Sequence, residues 1–287
     1  MELLHSLPPH NFCGLEGIDY KKAKFVVLPV PYDSTTSYRS GTRNGPHAMI
    51  EASRSIERYD IELSACPLET GIYTTNELEP SRGSSEETVN RVEDAVRQIL
   101  ADSKIPVMFG GEHSITAGAV RAFDDKSITV LQIDAHSDLR EEFEGSKYSH
   151  ACAMRRVRDT NTTVQVGVRS MSEEESKYVK KEKPVIFYGR NFTPKEVVSK
   201  LGEKVYITID LDGLDPSIMP AVGTPEPGGL FWDETLALMK EVCAKRTVVG
   251  FDAVELCPIP GNVASDFAAS LLVYKIIGYI GKKRGWL

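Results

Sequence analysis

Seven short apolar runs, separated by stretches of helical periodicity, constrain this chain more than any other feature. In order they are KFVVLPV, IPVMF, ITVLQI, TTVQVGV, PVIFY, VYITI and TVVGFDAV, between Lys24 and Val254. Most are continuously apolar instead of alternating, the pattern of strands covered on both faces. Strand following helix in this order predicts a mainly parallel sheet with helices on each side, an α/β architecture. Ligands of such sheets collect beyond the carboxyl ends of the strands, so the last residues of each run carry the functional reading.

Three runs end in residues able to ligate a metal. IPVMF is followed by Gly110, Gly111, Glu112 and His113; ITVLQI by Asp134, His136 and Asp138; VYITI by Asp210 and Asp212. Positions two apart on an extended backbone project to the same side, so each Asp-x-His or Asp-x-Asp pair crowds one face. Taken singly, Asp-x-Asp after a strand is more often a turn or a helix cap, and a His after Gly-Gly a hydrogen-bonded loop residue. Together, on neighbouring strands, they bring two imidazoles and four carboxylates to one pocket. Unpaired, that polarity would be costly to bury. Two divalent cations neutralise four carboxylates; one would leave a large repulsion. Oxygen and imidazole donors without thiolate favour Mn, with Fe, Co, Ni or Zn also fitting. Such a pair would hold a water and lower its pKa toward neutrality, which makes hydrolysis the implied chemistry.

Composition narrows the alternatives. At 287 residues with 41% hydrophobic content, the chain can bury a substantial core and is read as one domain, residues 1–287. A net charge of -7 with no Lys/Arg-rich run argues against a nucleic-acid surface and suits a cationic small molecule. The five cysteines, Cys13, Cys66, Cys152, Cys243 and Cys257, form no C-x-x-C pair and read as reduced thiols of a cytoplasmic protein. MELLHSLPPH lacks the form of a signal peptide, and FAASLLVYKIIGYIG is short for a membrane span and carries Lys275, so a packed terminal helix is expected. EPSRGSS leads into another helix through Ser84 and Glu87, an S-x-x-E cap ahead of Val89, Val92, Val96, Ile99 and Leu100. His5, His10 and His47 receive no role.

GGEHS, DAHSDLR, IDLDGLDPSIMPAVGTPEPGG and FDAVELCP resemble, in order, the four signatures of the ureohydrolases, the arginase and agmatinase family. SYRSGTRNGPHAMIEAS extends the resemblance toward the N-terminus. It implies a three-layer α/β/α sandwich of the arginase/deacetylase type and two Mn(II) ions. Carried over motif by motif, His113 and Asp138 bind only the first ion, and His136 and Asp212 only the second. Asp134 and Asp210 bridge the pair, and Asp138 also orients the attacking oxygen. His150, in SKYSHACAMRR, matches the family's proton-shuttling histidine, with a neutral-range pKa expected. Glu255 matches the carboxylate that grips the guanidinium in planar, bidentate fashion. Asp252 is read as structural. Trimers or hexamers are implied, with SYRSGTRNGP at a subunit contact or over the substrate channel.

The substrate follows from a departure. Where arginases carry Asn, Thr and Ser groups for an amino-acid head, this chain has Leu139, Arg140, Glu141, Glu142 and Phe143. GTPEPGG, with Glu226 and Pro227, resembles the agmatinase version of its motif. The expected reaction is agmatine to putrescine and urea. Glu141 or Glu142 near the second cation is weighed against their being solvated loop charges, and the loop reading is favoured. Arg140 keeps 4-guanidinobutanoate as the runner-up. A non-catalytic metal-binding homologue acting as a regulatory subunit and a one-metal amidohydrolase of the deacetylase kind are the readings from other classes.

Overall fold

The computed structural model describes residues 9–287; His5 and most of the N-terminal stretch considered above lie outside the described residues. Eight strands form one sheet: β1 (Phe25–Val30), β2 (Ile72–Thr74), β3 (Ile105–Gly110), β4 (Thr129–Ile133), β5 (Thr162–Val168), β6 (Val185–Tyr188), β7 (Lys204–Asp210) and β8 (Thr247–Val254). All seven expected runs are strands. The three-residue edge strand β2 is the addition, too short to show a pattern of its own. Every pairing is parallel, in the order β2-β1-β3-β8-β7-β4-β5-β6.

The helices are α1 (Gly45–Ser53), α2 (Ser85–Ala101), α3 (Thr116–Arg121), α4 (Ala153–Arg158), α5 (Glu173–Glu182), α6 (Pro194–Ser199), α7 (Trp232–Lys245) and α8 (Val263–Arg284). They divide between the two faces of the sheet because successive strand residues point to opposite sides. Phe25, Val27, Val107, Phe109, Ile207 and Ile209 pack with α1, α6, α7 and α8. Val26, Leu28, Met108, Val130 and Tyr206 pack with α2, α3 and α4. The expected three-layer α/β/α sandwich is the result.

Ser84 caps α2 by accepting from the backbone N–H of Glu87 at 3.1 Å, while the Glu87 carboxylate turns to Arg91 and leaves the other half of the capping box unmade. The terminal helix α8 runs for 22 residues, longer than the apolar run suggested, and is long and apolar enough to cross a membrane by length and composition. It lies instead in the core. Leu272, Val273, Ile276 and Ile277 are buried, Ser270 Oγ donates to the Met49 carbonyl at 2.8 Å, and Lys275 reaches Asp60 at 3.0 Å.

Of the four strands whose ends carry the candidate site, β3, β8, β7 and β4, each is hydrogen-bonded to the next. Their carboxyl ends therefore meet at the middle of one edge. The turn after β3 depends on Gly111: a Cβ there would lie 2.1 Å from the Tyr32 carbonyl oxygen. Only a residue without one lets the β1 and β3 exits come this close. We expect Gly111→Ala to destabilise the fold by about 1–3 kcal/mol, the usual cost of overpacking. Thermal unfolding of the variant checks this, and an unchanged Tm would show that the turn can relax.

Candidate metal centre

Six side chains from three strand ends converge as the sequence suggested. His113 Nδ1 lies 2.9 Å from Asp138 Oδ2, 3.1 Å from Asp134 Oδ2 and 3.4 Å from Asp210 Oδ2. His136 Nδ1 lies 3.0 Å from Asp212 Oδ2 and 3.6 Å from Asp134 Oδ1. Two triads of potential ligand atoms result, His113 with Asp134 and Asp210, and Asp134 with His136 and Asp212. Asp134 belongs to both, in keeping with a bridging position, and Asp138 closes on the first through its contact with His113. All of these carboxylates are buried.

The hydrogen bonds of His113 test whether a cation fits. Its Nε2 is 2.9 Å from Thr208 Oγ1, and that hydroxyl donates its only hydrogen to Asp252 Oδ1 at 2.6 Å. Thr208 can therefore only accept, which places a proton on Nε2 and leaves Nδ1 turned toward the cage to take either a second proton or a metal ion. Nδ1 faces three carboxylate oxygens without a hydrogen-bond partner of acceptable geometry. Burial acts to lower the pKa of the ring, but these carboxylates outweigh it and hold it well above its usual value. The arrangement calls for positive charge at Nδ1, supplied by a second proton on the ring or by a metal ion in its place. The donor set fits a divalent cation.

The acid–base behaviour of the cage points the same way. Burial drives Asp210 well above the usual carboxyl range, with the charges of Asp212 and Asp134 adding to it. Burial and then the Asp134 charge push Asp138 up to about 7. Burial acts to raise Asp134 too, but contact with His113 and His136 outweighs it and leaves that carboxyl low. Burial acts to lower His136 as well, but the charges of Asp212 and Asp134 outweigh it, so both cage imidazoles hold protons where metal ions would otherwise supply the positive charge.

Asp252 does more than the sequence reading allowed. Besides Thr208, it accepts from Tyr206 Oη at 2.7 Å and Thr116 Oγ1 at 3.0 Å, so three hydroxyls fix the carboxylate that orients His113 through Thr208. Gln132 Nε2 similarly donates to Asp134 Oδ2 at 2.5 Å, and Gln165 Nε2 donates to the Gln132 carbonyl. Gln165, Gln132, Thr208 and Asp252 are in-register neighbours on β5, β4, β7 and β8, a polar row one step beneath the ligands. Arg169, unnoticed in the sequence, binds the backbone carbonyls of Asp212 and Glu226, both at 2.7 Å, and ties the TPEPGG loop to the cage. Polar residues two before a ligand, inside otherwise apolar strands, were the available signal.

Glu255 follows the last residue of β8 and lines the same pocket. Its backbone has φ 66° and that of Asp138 φ 50°, the left-handed region that non-glycine residues enter at a cost. Its Oε1 accepts the His113 N–H at 2.7 Å and its own N–H donates to the Gly111 carbonyl at 2.8 Å. Burial, then the Glu112 charge, raises the carboxyl well above its usual range. His150 lines the pocket, but its pKa is not in the neutral range expected. Burial lowers it to about 4, with the charges of His136 and His113 adding, so the ring is neutral at pH 7.

Ser37, Tyr38 and Arg39, the first residues of SYRSGTRNGP, line the pocket together with Thr36. Glu141 is held by Arg155 at 2.8 Å and Arg156 at 3.1 Å, and Glu142 is exposed; neither lines the pocket, in agreement with the favoured loop reading. Arg140 does line it, with its guanidinium 4.6 Å from the Phe143 ring centroid and Nε 3.8 Å from Glu175. All five cysteines are free, and Cys257 Sγ donates to the Ser40 carbonyl at 3.4 Å.

An all-parallel sandwich with a buried acid–imidazole cage at its strand ends defines the arginase class of fold. The chain matches the arginase family over residues 23–278 and belongs to it. It is 40% identical to an N(1)-aminopropylagmatine ureohydrolase of Synechocystis sp., with 96% of this chain and 95% of that protein aligned. An agmatinase of Pyrococcus horikoshii is 33% identical over 91% of this chain and 94% of its own length. The crystal structure of agmatine ureohydrolase of Thermoplasma volcanium superposes with a TM-score of 0.89 at 34% identity, covering 98% of this chain and 97% of that one. The protein is thus a ureohydrolase, a hydrolase acting on C–N bonds of linear amidines.

Thr208→Val removes the acceptor for His113 Nε2–H while keeping side-chain shape. We expect it to weaken divalent-metal affinity about 10- to 100-fold with the fold intact. Calorimetric titration of the metal-stripped protein measures this; wild-type affinity in the variant would show that Thr208 does not orient the ligand.

Proposed function

We propose that this enzyme releases urea from a linear guanidino amine, with agmatine and its N1-aminopropyl derivative as substrates and Mn(II) as the working metal. The observation that carries the reading is the position of Glu255 beside the His113 cage in one pocket, a buried carboxylate facing a cluster built to hold cations. His113, Asp138, Asp134 and Asp210 would hold one ion, and His136 and Asp212, with Asp134 and Asp210 shared, the other. When bound, the ions supply Lewis acidity and bring the pKa of water toward neutrality.

The chain's own groups supply the rest. Glu255 pairs with the guanidinium in the plane of the carboxylate and turns its carbon toward the cage, so that attack is a matter of positioning. Asp138, strained into the left-handed region at the cage edge, accepts a hydrogen bond from the attacking oxygen and fixes its orientation. His150, neutral at pH 7, takes up on its ring a proton given up by the attacking water and delivers it to the departing nitrogen, so that an amine leaves instead of an amide anion. The guanidinium resists attack through resonance, and these three roles address binding, approach and departure separately.

For the substrate's far end, the relatives favour an amine. The agmatine expected from the sequence stays one of two choices, and the Synechocystis relative favours the longer one. Arg140 gives 4-guanidinobutanoate less support than the sequence offered. Its charge is stacked on Phe143 and faces Glu175, which already accepts from Ser137 Oγ, Leu139 N and Ser172 N. A cytoplasmic homo-oligomer completes the proposal, supported by the free thiols and by the exposed Tyr59 and Ile61.

With Mn(II) supplied, kcat/KM for urea release is expected to favour agmatine or N1-aminopropylagmatine over arginine and 4-guanidinobutanoate by about 100-fold or more. Preference for arginine would overturn the substrate assignment. Glu255→Gln should lower kcat/KM by roughly two orders of magnitude with the preferred substrate, because it leaves a buried guanidinium without its counter-charge. Undiminished activity in that variant would remove Glu255 from the site.

A further inference from the structure

Glu112 stands between the Gly110-Gly111 turn and His113, yet its side chain takes no part in the cage. It is fully buried and accepts from Thr35 N at 2.7 Å, Thr35 Oγ1 at 2.5 Å and Ser114 Oγ at 2.6 Å. Thr35 opens the loop that lines the pocket through Thr36, Ser37, Tyr38 and Arg39. The far end of that loop is fixed by a second buried carboxylate, Asp33, which accepts from Gly41 N at 2.8 Å and Arg43 N at 3.2 Å. Two buried acids thus clamp a segment of otherwise irregular backbone.

The clamp reaches His150. Thr35 Oγ1 has one hydrogen, and the 2.5 Å contact assigns it to Glu112. Only its lone pairs face the histidine, whose backbone N–H lies at 3.0 Å and Nδ1 at 3.4 Å. An acceptor beside Nδ1 favours a proton on Nδ1. Ser149 Oγ, 3.2 Å from Nδ1, can rotate to accept as well and so does not oppose this. On the other side Nε2 lies 3.3 Å from Ser37 Oγ, a pocket-lining hydroxyl free to donate to it. Phe143 meets the ring edge-on at 5.9 Å and limits its swing.

We infer that Glu112, acting through Thr35, is a positioning residue that holds neutral His150 as the Nδ1–H tautomer with the Nε2 lone pair toward the pocket. The proton that His150 exchanges with the reacting groups then enters and leaves at Nε2, while Nδ1–H stays anchored to the loop. The catalytic consequence rests on the guanidino-hydrolase reading above; the tautomer itself does not. The reverse tautomer would set a lone pair on Nδ1 against the Thr35 oxygen and point a proton, not a base, at the substrate.

Neutron diffraction from the perdeuterated, metal-loaded protein reads the tautomer directly. Deuterium on Nδ1 of a neutral His150 ring is expected, and deuterium on Nε2 alone would overturn the inference. Kinetics tests the route through Thr35. Thr35→Val should lower kcat for urea release at least about tenfold with KM within about twofold, and Thr35→Ser, which keeps the hydroxyl, should recover most of it. In a His150→Asn background, Thr35→Val should have no further effect on kcat. An equal loss in both backgrounds would mean that Thr35 serves the loop generally and not His150, and would overturn the assignment. Failure of the wild-type enzyme to release urea from any guanidino compound would instead sink the substrate reading, and the deuterium position would still decide the tautomer.

Discussion

His113 Nδ1 set among three buried carboxylate oxygens is the constraint on which the rest of this structure depends. Nothing in a protein interior compensates such a cluster except positive charge. The left-handed backbones of Asp138 and Glu255 and the glycine turn beneath His113 are local costs that the chain tolerates to bring these atoms within reach of one another. A fold selected for stability alone would have little reason to keep them.

The cage is held from below and from the side. Below it, the row Gln165, Gln132, Thr208 and Asp252 crosses four adjacent strands, so parallel register itself aligns the hydrogen bonds that aim Asp134 and His113. At the side, Arg169 fastens one loop by its carbonyls, and Glu112 fastens another by a threonine. Rigid strands set the metal ligands while clamped loops set the walls around the substrate.

Much of this was legible in the sequence because the relevant signals are local. Strands buried on both faces announce themselves as apolar runs, and ligands at a strand end repeat with period two, so β3, β4 and β7 and their six acids and imidazoles could be read directly. The edge strand β2 could not, since three residues carry no periodicity. The supporting polar row was hidden for another reason: a Gln or Thr inside an apolar run looks like a minor exception until the register of its neighbours is known. Glu112 and Thr35 are 77 residues apart, and nothing in either segment points to the other. His150 was found from its motif, but its depressed pKa comes from burial, which the motif does not encode.

Anomalous diffraction from crystals grown with Mn(II) tests the central claim most directly. The account predicts two peaks per chain roughly 3.5–4 Å apart, one beside His113 and the other beside His136, with Asp134 between them. No peak within the cage, or a single one at full occupancy in the presence of excess metal, would contradict it.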